Sequence, residues 1–573
     1  MYVYEVVVGI DFGSSGTGYA YSFNNPKKID FGKFPFQNYE VKSPTQIILD
    51  SNLQNVLAFG KKCDSYQLKE DDLYFKRIKM YIYKNETYIK PENNSKSFPL
   101  VDIITKIFLY IKEEAIKTIK FQKPNITENQ IKWVVTVPSI WNYTQKGIMI
   151  SASEKAGFLD QNTDKTNFLA LEPEVASIYC SYDDSIDHKY LEAGKTYIIC
   201  DLGGGTGDIV THHKKEDNKI IEKYRPIGGP YGSDEIEKDF FNKIFGELFG
   251  FDDFNSLYSK YDKLKNNKNL YWNKDDLYTE WKKLEEEIKT RKKVTKDLKD
   301  QSFKINCQIF EEFVDTNLKD LVNIFNNSCK EEWKIGISNE KRWILDFPYK
   351  IFFDLIEKQA LQITEQISEI CSEINDIESI LYVGGYCSNE VLIFYFKEKF
   401  YKLNHLKPSQ PEIAVVKGAV LFGINPYIIN MRKFPYTLGF NCDDIWNEEI
   451  HGGIGEKYYD SNYNIYKCKN SFHIIIKKEQ EITPNETITL SFVTMNPRII
   501  LLKFFISNKE NPVLWTEEGV ELIGTEHLDL GRDYPENERD FIIKIKFGGT
   551  YADAKCLHDK SRRELSFPLY FNK

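Results

Sequence analysis

The sequence predicts a mixed α/β fold of two lobes, followed by a smaller all-β domain. Three features indicate this organisation. A strand, an acidic glycine-rich turn and a second strand occur together twice, at Asp11 and at Asp201, and a Gly-Gly pair at Gly384 lies between a later strand and a helix. From about Lys433 onward, apolar runs are punctuated by Pro, Asn and Gly, as is typical of short strands and turns. The chain of 573 residues is long enough for at least two domains.

The unit at Asp201 is the most informative stretch. Residues 196–200 are β-branched and aromatic, which predicts a buried strand, and residues 209–211 continue as a second strand. The residues between them read Asp-Leu-Gly-Gly-Gly-Thr-Gly-Asp, so we expect a β-hairpin. Adjacent glycines permit positive φ angles and let backbone N–H groups converge on an anion. The two carboxylates can hold a divalent cation beside bound phosphates; a solvated glycine hairpin is the alternative.

A similar unit opens the chain. Residues 6–10 predict a strand, residues 11–18 form a turn rich in glycine and hydroxyl groups, and residues 19–23 resume the strand alternation. The later Gly-Gly pair follows a strand-like run and precedes a predicted helix at 389–400. Two acidic phosphate-binding hairpins and a late Gly-Gly pair before a helix resemble the actin, sugar-kinase and heat-shock ATPase superfold, which is ribonuclease H-like.

Hydrophobic periodicity assigns the remaining elements. We expect helices at residues 102–120, 143–156, 236–249, 275–299, 352–374 and 412–421, and strands at 131–138, 472–476, 487–493, 499–506 and 541–547. The segment 275–299 is highly charged with sparse apolar positions, so we expect an exposed helix. The strands near the C-terminus predict a β-sandwich.

Composition excludes several classes of protein. The hydrophobic content of 42% suffices for large cores, and the net charge of −9 argues against a nucleic-acid-binding platform. The ten cysteines show neither a CxxC motif nor paired Cys/His spacing, so the sequence indicates neither a zinc site nor a disulfide framework. No run reaches the roughly 18 apolar residues of a membrane helix, and a strand begins near the N-terminus. We expect a cytoplasmic protein without a signal peptide or transmembrane segment.

The chain resembles the seventy-kilodalton heat-shock chaperone family and, more narrowly, its divergent branch named heat shock 70 kDa protein 12. The runs that carry the resemblance are 9–23, 171–180, 228–233 and 417–423. The resemblance implies a nucleotide-binding domain that closes over Mg-ATP and a β domain similar to a substrate-binding module without a helical lid. The implied boundaries are 1–430 for the nucleotide-binding domain, about 1–190 for lobe I, about 191–405 for lobe II, 411–424 for a return helix and 431–573 for the β domain.

The same resemblance assigns roles to individual residues. The implied magnesium ligands, acting through water, are Asp11 and Asp201. The implied catalytic residues are Lys76, Glu172, Asp201, Thr206 and Asp208. The implied nucleotide-binding residues are Gly13, Ser14, Ser15, Gly203, Gly204, Gly205, Thr206, Glu286, Lys289, Gly384, Gly385 and Ser388.

These residues would act by positioning reacting groups and by electrostatic stabilisation. Lys76 matches a lysine that neutralises γ-phosphate charge, and Glu172 matches a glutamate that orients the attacking water. A surface lysine is the alternative for Lys76, because Lys79 lies close by in the sequence. Pro138 and Lys146 match a proline–basic pair that signals nucleotide state, and an ordinary strand end with a helix lysine explains them equally well.

The sequence also departs from the family pattern. Ser388 stands where the family has an arginine that packs on adenine, and Glu286 with Lys289 retains only part of the partner motif. The loss of that cation–π plane should weaken nucleotide binding. No apolar interdomain linker is recognisable at residues 425–434, and the sequence shows no helical lid after the β domain. We therefore expect little nucleotide control over the binding of a client peptide.

These features predict an ATP-binding, chaperone-type protein with slow Mg²⁺-dependent ATP hydrolysis coupled to protein binding. A nucleotide-gated scaffold with negligible turnover is the alternative. A sugar kinase is less well supported, because no dedicated sugar-site sequence is visible, and actin-like polymerisation is also disfavoured. The expected ligands are ATP or ADP with Mg²⁺. The expected partners are client polypeptides or co-chaperones that bind the β domain, and no nucleic acid.

Overall fold

The computed structural model describes residues 4–35, 40–69, 71–159, 168–265, 270–434, 436–461, 463–483, 486–547 and 552–569. The chain divides into two compact units. Unit 1 comprises residues 1–199, 208–227 and 413–573, and unit 2 comprises residues 200–207 and 228–412. The turn that begins at Asp201 therefore belongs to unit 2, whereas the turn at Asp11 belongs to unit 1.

Helices occur in both units. In chain order they are α1 Ile78–Tyr83, α2 Leu100–Gln122, α3 Tyr143–Lys155, α4 Glu172–Cys180, α5 Asp234–Phe240, α6 Glu247–Phe249, α7 Phe254–Leu264, α8 Lys274–Arg291, α9 Leu318–Ser328, α10 Lys350–Glu373, α11 Glu390–Lys399, α12 Ala414–Ile424 and α13 Glu448–His451. A π-helical segment at Phe241–Gly246 joins α5 to α6. The predicted helices at 102–120, 143–156, 352–374, 389–400 and 412–421 are confirmed, with small shifts at their ends.

Strands also occur throughout the chain. In chain order they are β1 Val6–Phe12, β2 Gly16–Ser22, β3 Asp30–Phe31, β4 Ser43–Pro44, β5 Gln46–Leu49, β6 Val56–Phe59, β7 Leu73–Lys76, β8 Tyr88–Ile89, β9 Phe98–Pro99, β10 Ile131–Val137, β11 Leu169–Leu171, β12 Thr196–Leu202, β13 Gly207–Lys214, β14 Ile220–Gly229, β15 Ser302–Asn306, β16 Gly336–Asn339, β17 Ile344–Pro348, β18 Ile377–Val383, β19 Asn404–Leu406, β20 Ile429–Lys433, β21 Thr437–Cys442, β22 Glu456–Asp460, β23 Ile465–Lys469, β24 Ser471–Ile476, β25 Glu481–Ile482, β26 Thr487–Val493, β27 Ile499–Ser507, β28 Val520–Asp529, β29 Asp540–Phe547, β30 Ala552–His558 and β31 Arg563–Leu569.

The first sheet of unit 1 is built on β1. This strand pairs in parallel with β10 and antiparallel with β2, so that Val8 lies between Trp133 and Tyr21. Strand β11 extends the sheet beyond β10, and α12 packs against β1 and α4. A Cβ on Gly418 would clash with the backbone oxygen of Val175, so the close approach of α12 to α4 requires glycine at this position.

Strand β20 lies between two other strands of unit 1. It pairs in parallel with β14, with Ile220 opposite Ile429 and Ile221 opposite Met431, and it pairs antiparallel with β25. The segment 425–434, in which the sequence shows no recognisable linker, therefore contains an ordered strand held on both sides. The register with β14 shifts between these two pairs, so the attachment of β20 depends on side-chain contacts as well as on the ladder.

Two antiparallel sheets form the C-terminal part of unit 1. Their strand orders are β24-β21-β27-β28 and β26-β29-β30-β31. Both sheets contribute to one buried cluster that includes Leu438, Phe504 and Ile543. The predicted antiparallel strands of this region are confirmed. A separate two-stranded hairpin, β22 and β23, lies between β21 and β24 in the sequence.

Unit 2 has an aromatic core. Helix α10 packs against α5 and α11, and the rings of Phe240 and Phe352 stack at 4.9 Å between centroids. Trp281 of α8 is 1% exposed. The prediction of an exposed helix at 275–299 is wrong in two respects: α8 ends at Arg291, and one face of it is buried. The sparse apolar residues 277, 281, 284 and 288 recur at helical spacing, so a few large side chains bury a full stripe.

Candidate functional site

The glycine-rich turn of unit 2 joins β12 to β13. The backbone N–H of Gly203 donates to the Thr206 carbonyl oxygen at 3.0 Å, which closes the turn. The carbonyl oxygens of Gly203 and Gly204 accept from the backbone N–H groups of Ser233 and Asp234 at 3.1 and 2.8 Å. The start of α5 thus supports the turn that the sequence predicts to bind phosphate.

The glycines of this turn serve close packing. Gly203, Gly204 and Gly205 are not among the described residues with positive φ, so the turn does not use the conformational freedom that the sequence permits there. A Cβ on Gly232 would instead clash with the backbone of Gly204. Because these glycines lack a Cβ, the loop before α5 lies directly on the turn.

Gly384 provides the second close contact in unit 2. Its φ of +84° lies in the region that favours glycine. A Cβ at this position would come within 2.6 Å of Asp201 Oδ1 and would also clash with the Leu202 backbone oxygen. The Gly-Gly pair predicted from the sequence therefore packs on the acidic end of the turn.

Gly385, the second residue of the Gly-Gly pair, lines a cavity of about 470 Å³. Ser388, Tyr386 and the two lysines that follow α8, Lys292 and Lys293, also line this cavity. Its volume falls within the range of small-molecule sites. The structure thus brings two of the predicted nucleotide-binding residues, Gly385 and Ser388, to one cavity.

Two other predicted residues lie elsewhere. Glu286 and Lys289 are not among the described residues that line the cavity; Lys289 Nζ lies 3.1 Å from Glu286 Oε1 in an ion pair along α8. Sequence reasoning missed Lys292, which is 8% exposed and donates to the Ser233 carbonyl oxygen at 2.9 Å. The basic run at 291–293 was visible in the sequence, but its position depends on where α8 ends.

Glu172 and Lys79 form a buried pair in unit 1. Glu172 begins α4, and Lys79 lies in the first turn of α1 after Arg77, whose φ is +55°. Lys79 Nζ lies 2.6 Å from Glu172 Oε1, and the two residues are 2% and 7% exposed. Burial raises the pKa of Glu172, and the Lys79 ammonium opposes that shift. Lys79, which the sequence suggested only as a neighbour of Lys76, is therefore the lysine that contacts this glutamate.

Asp208 is held by the segment that follows β10. Its Oδ1 accepts from the Ser139 hydroxyl at 2.7 Å and from the Ile140 backbone N–H at 3.0 Å. Burial raises the pKa of Asp208, while these two donors favour its charged form. Pro138 ends β10 immediately before the donors, so the predicted proline lies beside the predicted acid.

The turn at Asp11 is held by unit 1 side chains. The Thr45 hydroxyl donates to the Gly13 carbonyl oxygen at 2.7 Å, and the Thr45 backbone N–H donates to the Ser15 carbonyl oxygen at 3.2 Å. The Ser14 hydroxyl lies 3.7 Å from the Met80 sulfur. Thr45 thus fixes both ends of the predicted first phosphate loop.

Two of the predicted charged residues have partners in unit 1. Asp11 is 3% exposed, and Lys42 Nζ lies 2.5 Å from its Oδ2. Lys76 Nζ lies 3.5 Å from Glu92 Oε2. The roles of Asp11 in magnesium binding and of Lys76 at the γ-phosphate stay predictions.

A further group of buried charges surrounds Glu174. Arg432 of β20 forms two hydrogen bonds to its carboxylate, both at 2.6 Å. Burial and the neighbouring Glu174 raise the pKa of Glu222 to about 8. Burial and Arg432 lower the pKa of Lys146 to about 8, and the same two causes lower the pKa of His212 to about 3. This group fixes β20 to α4 by a bidentate ion pair.

The part of the chain that the structure describes contains neither a direct metal-binding cluster nor a membrane-spanning helix. No group of three or more His, Cys, Asp or Glu side chains there could hold a metal ion directly. Among the same residues, no helix has the length and apolarity needed to cross a membrane.

Known proteins share similarity with nearly the whole chain. No family model matches it. Heat shock 70 kDa protein 12A of Mus musculus is 24% identical over 640 aligned residues, which cover 99% of this chain and 91% of the relative. Heat shock 70 kDa protein 12B of Homo sapiens is 23% identical over the same shares of the two chains. The Chaperone protein HscA homolog of Rickettsia typhi is 24% identical over 79% of this chain and 63% of its own length. The chain is therefore similar over nearly its full length to proteins of the seventy-kilodalton heat-shock family, in agreement with the acidic hairpins and the Gly-Gly pair.

Proposed function

We propose that this chain is an ATP-binding, chaperone-type protein, with an actin-like ATPase domain of two lobes followed by a smaller all-β domain. It hydrolyses ATP slowly to ADP and phosphate in the presence of Mg²⁺. The observation that carries this proposal is the Gly-Gly pair of unit 2. Gly384 packs on Asp201 and Leu202 at the turn, and Gly385 lines the cavity. The turn that we propose to bind phosphate and a cavity of about 470 Å³ are thus connected through two consecutive residues.

The residues at the turn fit a hydrated magnesium ion. Asp201 is 6% exposed, and its carboxylate lies at the turn against Gly384. Magnesium is usually bound through one or two carboxylates, several waters and substrate phosphates. When bound, the ion would offset phosphate charge. Asp201 would hold its water shell, and Thr206 would position the phosphate from the turn.

Hydrolysis would depend on Glu172 and Asp208. We assign to Glu172 the orientation of the attacking water, and to Lys79 the positioning of Glu172 through their 2.6 Å contact. Asp208, which Ser139 and Ile140 hold at 2.7 and 3.0 Å, would accept a hydrogen bond from water in its charged form. Such groups act by positioning and electrostatics, since phosphoryl transfer requires little covalent chemistry from the protein.

A nucleotide-gated scaffold with negligible turnover is the second candidate. One observation favours it: the carboxylates of Glu172 and Asp208 are already engaged by Lys79 and Ser139. Groups that are occupied in this way are less available to activate water. In either case the β domain would bind client polypeptides or co-chaperones, and a cytoplasmic location stays a prediction.

Phosphate release separates the two candidates. Purified full-length protein should release phosphate from Mg-ATP slowly, and Glu172→Gln should abolish release while ATP binding persists. Glu154→Gln, at an exposed position of α3, is the matched control. Equal phosphate release by wild type and Glu172→Gln would exclude the hydrolytic role of Glu172, and ATP binding without release by any of the three proteins would favour the scaffold.

A further inference from the structure

The hairpin formed by β22 and β23 is attached at its base to the sheet that contains β21 and β24. Asp443, which follows β21, accepts hydrogen bonds from the Tyr458 hydroxyl and from the Asn470 backbone N–H, both at 3.0 Å. The Asp444 carboxylate lies 3.0 Å from a ring nitrogen of His473 in β24. Several short contacts therefore hold the base of the hairpin.

The tip of the same hairpin contacts a loop that is distant in the sequence. Tyr463 lies in the turn between β22 and β23, and its hydroxyl donates to the carboxylate of Glu536, which follows β28. Burial and this carboxylate raise the pKa of Tyr463, so the hydroxyl keeps its proton. Tyr463 is 42% exposed, so water competes for this hydrogen bond and the net gain from it is small. In the described part of the hairpin, the tip is therefore held less firmly than the base.

The loop that contains Glu536 is joined to the loop that follows β26. The Tyr534 backbone N–H donates to the Pro497 carbonyl oxygen at 2.9 Å, and the Arg539 guanidinium donates to the Met495 carbonyl oxygen at 3.1 Å. The two loops therefore form one surface, which we call the loop platform. It comprises residues 494–498 and 530–539.

Strand β26, which leads into the loop platform, lies at the edge of its described sheet and pairs with β29. Its side chains Ile488, Leu490 and Phe492 pack against the core of the β domain but are only partly buried. The Phe492 ring also meets the His473 ring edge to face, with 5.3 Å between centroids. An edge strand offers backbone N–H and C=O groups to which an extended polypeptide can add as a further strand.

We infer that the β22–β23 hairpin is a strap that gates the access of an extended polypeptide to the edge of β26, with the contact between Tyr463 and Glu536 as its latch. The inference rests on the proposed binding of client polypeptides by the β domain. The base of the strap lies beside β26 through His473, and its tip lies on the loop platform that β26 enters. Because the tip is held less firmly than the base, the latch opens first. A closed strap delays both the entry and the exit of a bound segment.

The kinetics of polypeptide binding test the strap. The probe is fluorescently labelled, reduced and carboxymethylated α-lactalbumin, which stays unfolded, and it is mixed with the full-length protein in a stopped-flow instrument. Tyr463→Phe and Glu536→Ala each remove the latch hydrogen bond, so we expect association and dissociation both to accelerate by about fivefold. The equilibrium affinity should change less than either rate. The double variant should match the single variants, because both substitutions remove the same contact.

Matched variants and a second measurement isolate the latch. Tyr459→Phe removes an exposed hydroxyl of the same hairpin that bonds to Asn464 within the hairpin, and Asp533→Ala removes an exposed carboxylate from the loop platform. Both control variants should keep the wild-type rates. Hydrogen exchange reports on the latch without any client: the amides of β22 and β23 should exchange several-fold faster in the latch variants than in the control variants.

The outcomes separate this inference from the function on which it rests. If the probe binds neither the wild type nor the latch variants, the proposed client binding is wrong and the gate is wrong with it. If the probe binds and the latch variants keep the wild-type rates, client binding stands and the strap is wrong. Faster dissociation with unchanged association would show that the hairpin is a binding contact and not a gate. Unchanged hydrogen exchange in the latch variants would show that this contact does not hold the hairpin.

Discussion

The buried charged groups of unit 1 and the polar groups at the cavity of unit 2 differ in what they contact. In unit 1, Glu172 is paired with Lys79, and Glu174 is paired with Arg432 through two hydrogen bonds of 2.6 Å. In unit 2, the Tyr386 hydroxyl has no partner among the described residues. Breaking a buried charged pair is strongly destabilising, whereas an unpaired buried polar group can reflect strain, water or a ligand. Unit 1 also has buried atoms without a hydrogen-bond partner among the described residues, such as Thr136 Oγ1 and Trp141 Nε1, so the comparison concerns the charged pairs. We infer that unit 1 depends on its internal pairs.

The largest expected effect is on the stability of unit 1. Arg432→Met leaves the Glu174 carboxylate buried without its partner, and breaking such a pair costs about 3–5 kcal/mol. Arg498→Met is the control, because the pair of Arg498 with Asp529 is about half exposed and should contribute little to stability. Urea denaturation of both variants measures the difference. Similar losses from the two substitutions would show that burial does not distinguish these pairs.

The next effect concerns the contact between the Gly-Gly pair and the turn. Gly384→Ala places a methyl group against Asp201 Oδ1 and the Leu202 carbonyl oxygen, so we expect ATP affinity to fall by about a hundredfold, or about 2.7 kcal/mol. Gly519→Ala is a matched control, since both glycines have a φ of +84° but nothing lies within 4 Å of a Cβ on Gly519. Both variants incur backbone strain, and only the first should alter nucleotide binding. An unchanged affinity in a folded Gly384→Ala protein would contradict the position of the nucleotide.

A smaller effect should appear as a pH dependence of stability. The pKa of Glu222 rises from its ordinary value to about 8 in the folded protein, so the folded state binds the proton more tightly. Wild-type stability should therefore decrease as pH rises from about 5 to about 8, and Glu222→Gln should lose this contribution. We expect the variant to gain on the order of 2 kcal/mol relative to wild type across that window, less than the full linkage because Arg432 lies nearby. Parallel stability curves for the two proteins would show that Glu222 is charged throughout.

The smallest of these effects concerns the metal. Asp201→Asn retains the shape of the side chain but removes its charge, so we expect the magnesium-dependent part of ATP affinity to fall by about tenfold. Thr206→Val tests the same turn without changing charge and should weaken ATP with and without Mg²⁺. Titrations with Mg-ATP and with ATP in chelator distinguish the two responses. If both variants keep the wild-type dependence on Mg²⁺, the metal lies elsewhere.

The sequence was most informative where structure is local. The β-rich runs on both sides of the turn at Asp201 identify two adjacent strands, and the alternating strands near the C-terminus specify their own sheets. The end of α8 was not predictable in this way, because it depends on which apolar residues find partners in the aromatic core. Glu286 is not among the described residues that line the cavity, so its nucleotide-binding role stays a prediction, and Lys292 was missed.

The sequence also did not predict which lysine contacts Glu172. Lys76 ends β7, and Lys79 lies three residues later in α1. Arg77 takes a left-handed φ between them, so the chain turns sharply and the second lysine becomes the buried one. Sequence spacing alone does not reveal that turn, since arginine rarely adopts this conformation.

The central claim is that the turn and the cavity of unit 2 bind a magnesium nucleotide, and calorimetric titration of the full-length protein with Mg-ATP tests it most directly. We predict one saturable binding site per chain, with an affinity that falls when Mg²⁺ is chelated. Absence of any saturable heat at millimolar ATP, with the protein folded and Mg²⁺ present, would contradict the claim.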